Sequence, residues 1–318
     1  MALKDAGRDT DRAFTGDLKG GAYENAFAGA LSFMRRRYTK QMDEVDLAVT
    51  GIPFDQATTN RPGARLGPRA IREASSLLPF DPPWGWGFDP LSEFAVADAG
   101  DMAFDYAKPG EVPARIKAHA TALIEHGTGV IALGGDHSIS RPLIEAHADS
   151  YGPVSLLQFD AHSDTWPDDD PARVDHGTMF FKAVKDGVID PATSVQVGIR
   201  THNDVDLGLH QIDARAVHLD GPVAVARRIK DIVGTNPVYL SFDIDALDPA
   251  AAPGTGTPVW GGLSSGQAAI ILRDIAGINL VGGDVVEVAP PFDTAGATAI
   301  AAAHVTLELI CLWAFTRR

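Results

Sequence analysis

Three apolar runs in this chain each end in acids or a histidine, and that pattern constrains the fold more than any other feature. Val154 to Leu157 leads into Phe159-Asp160-Ala161-His162-Ser163-Asp164. In an extended chain, residues two apart share a face, so Asp160, His162 and Asp164 aim at one point. Tyr239-Leu240-Ser241-Phe242 runs in the same way into Asp243 and Asp245. Val130 to Leu133 runs into Gly134-Gly135-Asp136-His137. Each strand end alone is weak, since a polar strand-to-loop turn looks the same. Together they offer two imidazoles and four carboxylates, too many for one four-coordinate zinc site. The set fits two divalent ions sharing bridging carboxylates, an arrangement used for hydrolysis. Oxygen-rich donors favour Mn²⁺ over metals that prefer softer ligands.

Strands are expected at Val45–Thr50, Val130–Leu133, Val154–Phe159, Ser194–Ile199, Val238–Phe242 and Leu280–Val285. Helical spacing falls at Ile71–Leu78, Pro113–His126, Ser138–Asp149, Met179–Asp186, Pro222–Val233 and Ser264–Ala276. Buried strands alternating with helices predict a three-layer α/β/α fold around a mostly parallel sheet. In such sheets, sites form beyond the carboxyl ends of strands, which lets the three motifs converge. With no linker or repeat visible, one catalytic domain is expected over residues 41–318, after an N-terminal arm of residues 1–40.

The net charge of −15 disfavours nucleic acid and anionic membranes and favours a small cationic substrate. The N-terminal segment has no apolar core of a secretory signal. No run of about 20 apolar residues is expected to cross a membrane. The lone Cys311 fits a reducing, cytoplasmic setting and reads as a small buried residue. Arg35-Arg36-Arg37 is expected to be a solvated helix end or a subunit contact. The segment Phe80–Pro90, with Trp84 and Trp86, cannot be regular structure and is either a packed surface loop or the lining of a pocket or interface.

In GGDH, DAHSD and SFDIDALDP the chain resembles the ureohydrolases, the arginase–agmatinase family. Gly51–Asp55, Arg61–Pro68, His176–Phe180 and Asp284–Val288 look like further motifs of that family, so the likeness runs from about Asp46 to the C-terminus. The resemblance implies an arginase-like fold, two Mn²⁺ per subunit, and a trimer or hexamer. It implies that Asp160 and Asp243 bridge the metals, with His137 and Asp164 completing one shell and His162 and Asp245 the other. Glu287 would pair with a substrate guanidinium as a two-point fork. From the residues alone, an internal arginine such as Arg200 is the alternative partner. Asp164 would relay a proton and His176 would exchange protons with solvent, as a neutral imidazole can near pH 7. Asp248 is read as ordering a turn, and the remaining histidines as structural.

The arginases of this family carry Asn two residues after the last aspartate of DAHxD, where this chain has Trp166. That departure argues against arginine. Asp168-Asp169-Asp170 beside the mouth would attract an ammonium tail and repel a carboxylate tail, within the limits of screening. Agmatine, cleaved to urea and putrescine, is therefore expected ahead of guanidinobutyrate or guanidinopropionate. A one-metal zinc deacetylase and a metal-retaining protein without activity are the readings from other classes.

Overall fold

The computed structural model describes residues 11–21 and 24–318. Residues 1–10 of the expected N-terminal arm, with 22 and 23, lie outside that description. Eight strands form the core: β1 (Leu47–Ile52), β2 (Val96–Asp101), β3 (Gly129–Gly134), β4 (Ser155–Phe159), β5 (Val195–Ile199), β6 (His210–Asp213), β7 (Pro237–Asp243) and β8 (Asn279–Val286). They make one sheet in the order β2-β1-β3-β8-β7-β4-β5-β6, and every pairing is parallel. The expected mostly parallel sheet is thus wholly parallel among the described residues.

Alternate residues of the central strands enter separate apolar clusters. Leu133, Phe159, Phe242 and Val285 belong to one, while Ala132, Leu156, Tyr239 and Val286 belong to the other. A sheet covered on both faces must place apolar side chains on both, which is why its strands read as continuous hydrophobic runs.

The strands β2 and β6 were not expected. Val96-Ala97-Asp98-Ala99-Gly100-Asp101 carries two acids and a glycine, so it lacks the apolar run of a buried strand. His210–Asp213 is an edge strand with a single buried residue. The helix expected from Ile71 starts earlier, at Gly67, and gives way after Ala74 to a 3₁₀ segment, Ser75–Phe80, that contains Pro79. Gly67 begins where the chain passes close to two strand ends. A Cβ there would sit 2.7 Å from the carbonyl oxygens of both Gly134 and Val288.

Two expectations need correction. Arg35 and Arg36 are not solvated, each being 1% exposed. The guanidinium of Arg35 donates to the carbonyls of Asn25, Ala26, Ala28 and Ala30 and so ties down the preceding segment. Burial, with Arg12 nearby, lowers the pKa of Arg36 to about 10. The second concerns apolar runs. Ala297–Phe315 is one helix of 19 residues with mean hydropathy 1.7, long and apolar enough to cross a membrane by length and composition. Most of it is buried within the fold, where it packs on β8 and the helix Gly67–Ala74. Cys311 lies in it and is buried, as expected. Of the two tryptophans in the irregular segment, Trp86 is buried and donates Nε1–H to Glu308 at 2.6 Å, while Trp84 is exposed over Arg273.

Candidate metal and guanidine site

The strands β3, β8, β7 and β4 lie side by side, and each delivers a site residue at or just past its carboxyl end. In sheet order these are His137, Glu287, Asp243 and Asp160. The register sets Asp243 opposite Val286, and Phe159 opposite Phe242. The turn after β4 then carries His162 and Asp164 back over the strand ends. Asp164 and Glu287 hold left-handed backbone angles, with φ of 53° and 63°. Such strain in a non-glycine residue persists only where surroundings enforce it, and it gathers at functional sites. GGDH has its own steric reason: a Cβ on Gly135 would collide with the carbonyls of Ile52 and Phe54.

Nδ1 of His137 lies 2.9 Å from Asp164, 3.1 Å from Asp160 and 3.3 Å from Asp243. Nδ1 of His162 lies 3.1 Å from Asp245 and 3.4 Å from Asp160. Asp160 faces His137 with Oδ2 and His162 with Oδ1, so one carboxylate joins two clusters that could each hold a cation. All six expected ligands therefore come together.

His137 gives the clearest test of fit. Despite three carboxylates within 3.3 Å, its buried Nδ1 makes no hydrogen bond. Nε2 lies 2.8 Å from Ser241 Oγ, which donates to Asp284. Ser241 has thus spent its proton and must accept one from Nε2, assigned from the hydrogen-bond partners. That leaves a lone pair on Nδ1 among carboxylates, as a metal ligand needs. Without an ion, the same carboxylates overcome burial and raise the pKa of His137 well above its ordinary value, so proton and cation compete for this place.

The other pKa values follow from crowding. Burial and then the charges of Asp245 and Asp160 push Asp243 well up. Burial, with Asp160, raises Asp164 to about 6. Burial opposes charge on His162, but Asp160 and Asp245 raise it to about 12. Asp160 moves the other way: burial would raise it, but the adjoining imidazoles of His137 and His162 outweigh burial and hold it below the usual range. So many buried carboxylates call for cations beyond two imidazoles.

Glu287 accepts from the His137 backbone N–H at 2.8 Å and from His176 Nδ1 at 2.9 Å, both through Oε1. Its Oε2 is buried and has no hydrogen-bond partner. Arg200 is not the internal partner, because its guanidinium donates to the carbonyls of Asp245, Val259 and others. His176 is held from both sides, since the backbone N–H and hydroxyl of Thr59 lie 3.1 and 3.0 Å from Nε2. Burial disfavours charge on His176, yet Glu287 raises its pKa to about 9. The Thr59 N–H pulls oppositely, because it can only donate and needs a lone pair on Nε2. We assign the neutral ring, protonated on Nδ1, on that hydrogen-bond geometry.

A cavity of about 360 Å³ opens over the cluster, walled by His162, Asp164, Asp243, Trp166, Thr257 and the Arg173–Thr178 turn. None of Asp168, Asp169 and Asp170 lines it. Asp168 is spent on Lys182 at 2.7 Å, and Asp170 Oδ1 accepts from the Ala172 N–H. The expected acidic mouth is therefore not made by those three residues. Asp175 lines the cavity instead. Residues not singled out from sequence also matter. Thr59 orients His176, Ser241 orients His137, and buried Asp136, raised to about 7 by burial and Glu287, accepts from the Ala57 N–H. Asp136 stands inside GGDH, so the motif itself was a signal. Ser241 had the weaker one of facing the same way as Asp243.

The parallel sheet, two side-chain clusters that could each hold a metal ion, and a buried carboxylate oxygen without a partner mark a protein of the α/β class with a candidate metal site. The arginase family's sequence model matches residues 45–311, and the chain belongs to that family. It is 53% identical to an agmatinase of Chromobacterium violaceum over 93% of this chain and 92% of the relative. It is 43% identical to an agmatinase of Salmonella newport, over 93% and 97%. Among solved structures it is similar to a hypothetical agmatinase from Burkholderia thailandensis, with TM-score 0.94, 55% identity and coverage of 96% and 98%. The proclavaminate amidino hydrolase of Streptomyces clavuligerus follows, with TM-score 0.88, 36% identity and coverage of 92% and 100%.

Proposed function

We propose that this protein is a ureohydrolase that cleaves the guanidino group of agmatine, releasing urea and putrescine. The observation that carries this reading is the buried, unpartnered Oε2 of Glu287 beside the six ligand side chains. A guanidinium is planar and offers paired N–H donors to a carboxylate. The likeness to agmatinases supports agmatine as the substrate.

In this proposal His137, Asp160, His162, Asp164, Asp243 and Asp245 would hold two Mn²⁺ ions. When bound, they supply a water of lowered pKa and positive charge near the reacting carbon. Glu287 orients the guanidinium with its carbon over the cluster. Asp164 takes up the proton lost by the attacking water and passes it toward the departing nitrogen, because an amide anion is a very poor leaving group. His176 restores the proton balance with solvent, and Thr59 and Glu287 fix its ring for that task. The proposal also takes residues 41–318 as one catalytic domain after an arm of residues 1–40. It further takes a homo-oligomer, trimer or hexamer, and a cytoplasmic setting, the latter in keeping with a single buried cysteine, Cys311.

Arg173, exposed at the cavity, favours guanidinobutyrate as a second reading, because a guanidinium there could meet a carboxylate tail. The test is urea release by Mn-loaded protein with agmatine, guanidinobutyrate, guanidinopropionate and arginine in parallel. A preference for agmatine is expected. A preference for a carboxylate-tailed compound would move the assignment within the family, and urea from none of the four would sink it.

A further inference from the structure

We propose that Asp175 reads the distal ammonium of the substrate, and that Arg173 occupies that position until substrate arrives. This rests on the agmatine reading above and adds the group that selects the tail.

Of the acids in the loop between Thr165 and His176, Asp175 is the one that walls the cavity. Its carboxylate is 14% exposed and is fixed at Oδ1 by the Gly177 N–H at 2.8 Å. Its Oδ2 meets only the Arg173 guanidinium, at 2.6 Å. Arg173 itself is 57% exposed, and a pair with one solvated partner contributes little to stability. The chain thus sets one cationic group of its own, on a flexible stem, against a fixed anion in the cavity. An incoming ammonium can replace that cation with no net change in charge pairing, releasing Arg173 to water. Trp166 closes the adjacent wall, and its backbone N–H donates to the Gly177 carbonyl at 3.1 Å, so the residues carrying the aromatic ring and the carboxylate are tied to the same turn. An aliphatic spacer can lie on that ring while the ammonium reaches Asp175. A carboxylate tail would face Asp175 unless Arg173 turned to meet it, so this pair sets which tail is accepted.

The experiment compares wild type, Asp175→Asn and Arg173→Gln, with agmatine and with butylguanidine, which keeps the four-carbon chain and lacks the ammonium. In Asp175→Asn the ratio of kcat/KM for agmatine over butylguanidine should fall about tenfold or more, through KM, the size expected for one charge-assisted hydrogen bond. Putrescine binding, followed by calorimetry, should weaken by a similar factor. In Arg173→Gln the KM for agmatine should fall, because the competing cation is gone. An unchanged ratio in Asp175→Asn, or equal losses on both substrates, overturns the inference. Should Asp175→Asn not fold, an agmatine KM in Arg173→Gln that is unchanged or higher overturns it alone. Wild type that releases no urea from agmatine sinks the functional reading along with it. Wild type active on agmatine with an unchanged ratio sinks only this inference.

Discussion

Ser241 Oγ stands 2.8 Å from Nε2 of His137 and gives its own proton to Asp284, so it turns the other ring nitrogen into a free lone pair. Tyr239 donates to the second oxygen of Asp284 and anchors the relay from below. Ser241→Ala leaves Nε2 without its acceptor and the ring free to take the other tautomer. Removing such a partner costs roughly 10–100-fold in metal affinity. Competition for Mn²⁺ with a chelator of known strength measures this, and equal affinity in the variant would contradict the relay.

Glu287→Gln keeps Oε1 as an acceptor for the His137 and His176 N–H groups and removes the buried charge carried by the unpartnered Oε2. Loss of a charge-assisted bond to guanidinium should lower kcat/KM for agmatine by about 10–100-fold, with metal content unchanged. Steady-state urea release and metal analysis on the same sample decide it. Wild-type kinetics in a metal-replete variant would show that Oε2 is not the guanidinium acceptor.

Gly135→Ala pushes a methyl group into the carbonyls of Ile52 and Phe54. Backbone cannot rotate away as a side chain can, so the β1 and β3 ends must separate. Overpacking of this kind costs typically 1–3 kcal/mol, occasionally more. Thermal or urea unfolding should show a loss at or above the upper end of that range, and a loss within error would disprove the steric account of GGDH.

His147 is buried, donates Nδ1–H to the Leu143 carbonyl, and leaves Nε2 unpartnered against β8, with Tyr239 and Tyr151 beside its ring. Burial lowers its pKa from 6.5 to about 4. The unfolded chain therefore takes up a proton near pH 6.5, while the folded protein resists until about pH 4. Between those values the unfolded state binds more protons, so stability falls as pH falls, by up to about 3 kcal/mol from this residue. Above pH 6.5 the contribution does not vary. His147→Gln should flatten the stability–pH curve across that window in denaturant titrations. Parallel curves for the two proteins would rule out the buried neutral imidazole as the cause.

Much of the site was legible because its ligands obey a local rule. The ligands lie within a few residues of one another at strand ends, so no distant contact is needed to make Asp160 and His162, or Asp243 and Asp245, neighbours. The backbone there is a bend and a 3₁₀ turn, and not the extended chain the spacing suggested. The apolar runs likewise announced six of the eight strands, since a strand buried on both faces must be apolar throughout. The strands β2 and β6 escaped because Asp98 and Asp101 find Arg72, and because an edge needs little apolar surface. Arg35 and Arg36 read as solvent-facing for the general reason that arginine usually is, but backbone carbonyls from residues 25–30 accept the buried Arg35. The Asp168–Asp170 run misled for the same reason, because Lys182, on the helix that begins within the His176–Phe180 motif, takes Asp168 out of play.

The sequence by itself determined the chemistry of this protein: the donor set, the strands that carry it, and the guanidine-binding family those motifs resemble. Only the tertiary structure decided the order β3-β8-β7-β4, which sets Glu287 between His137 and Asp243. It alone left Oε2 of Glu287 open, spent Asp168, and set Asp175 at the cavity. Alternation along a strand is fixed by bonds between near neighbours. Which strands lie side by side, and which buried charge finds a partner, depends on packing between segments 100 or more residues apart, such as His137 and Glu287.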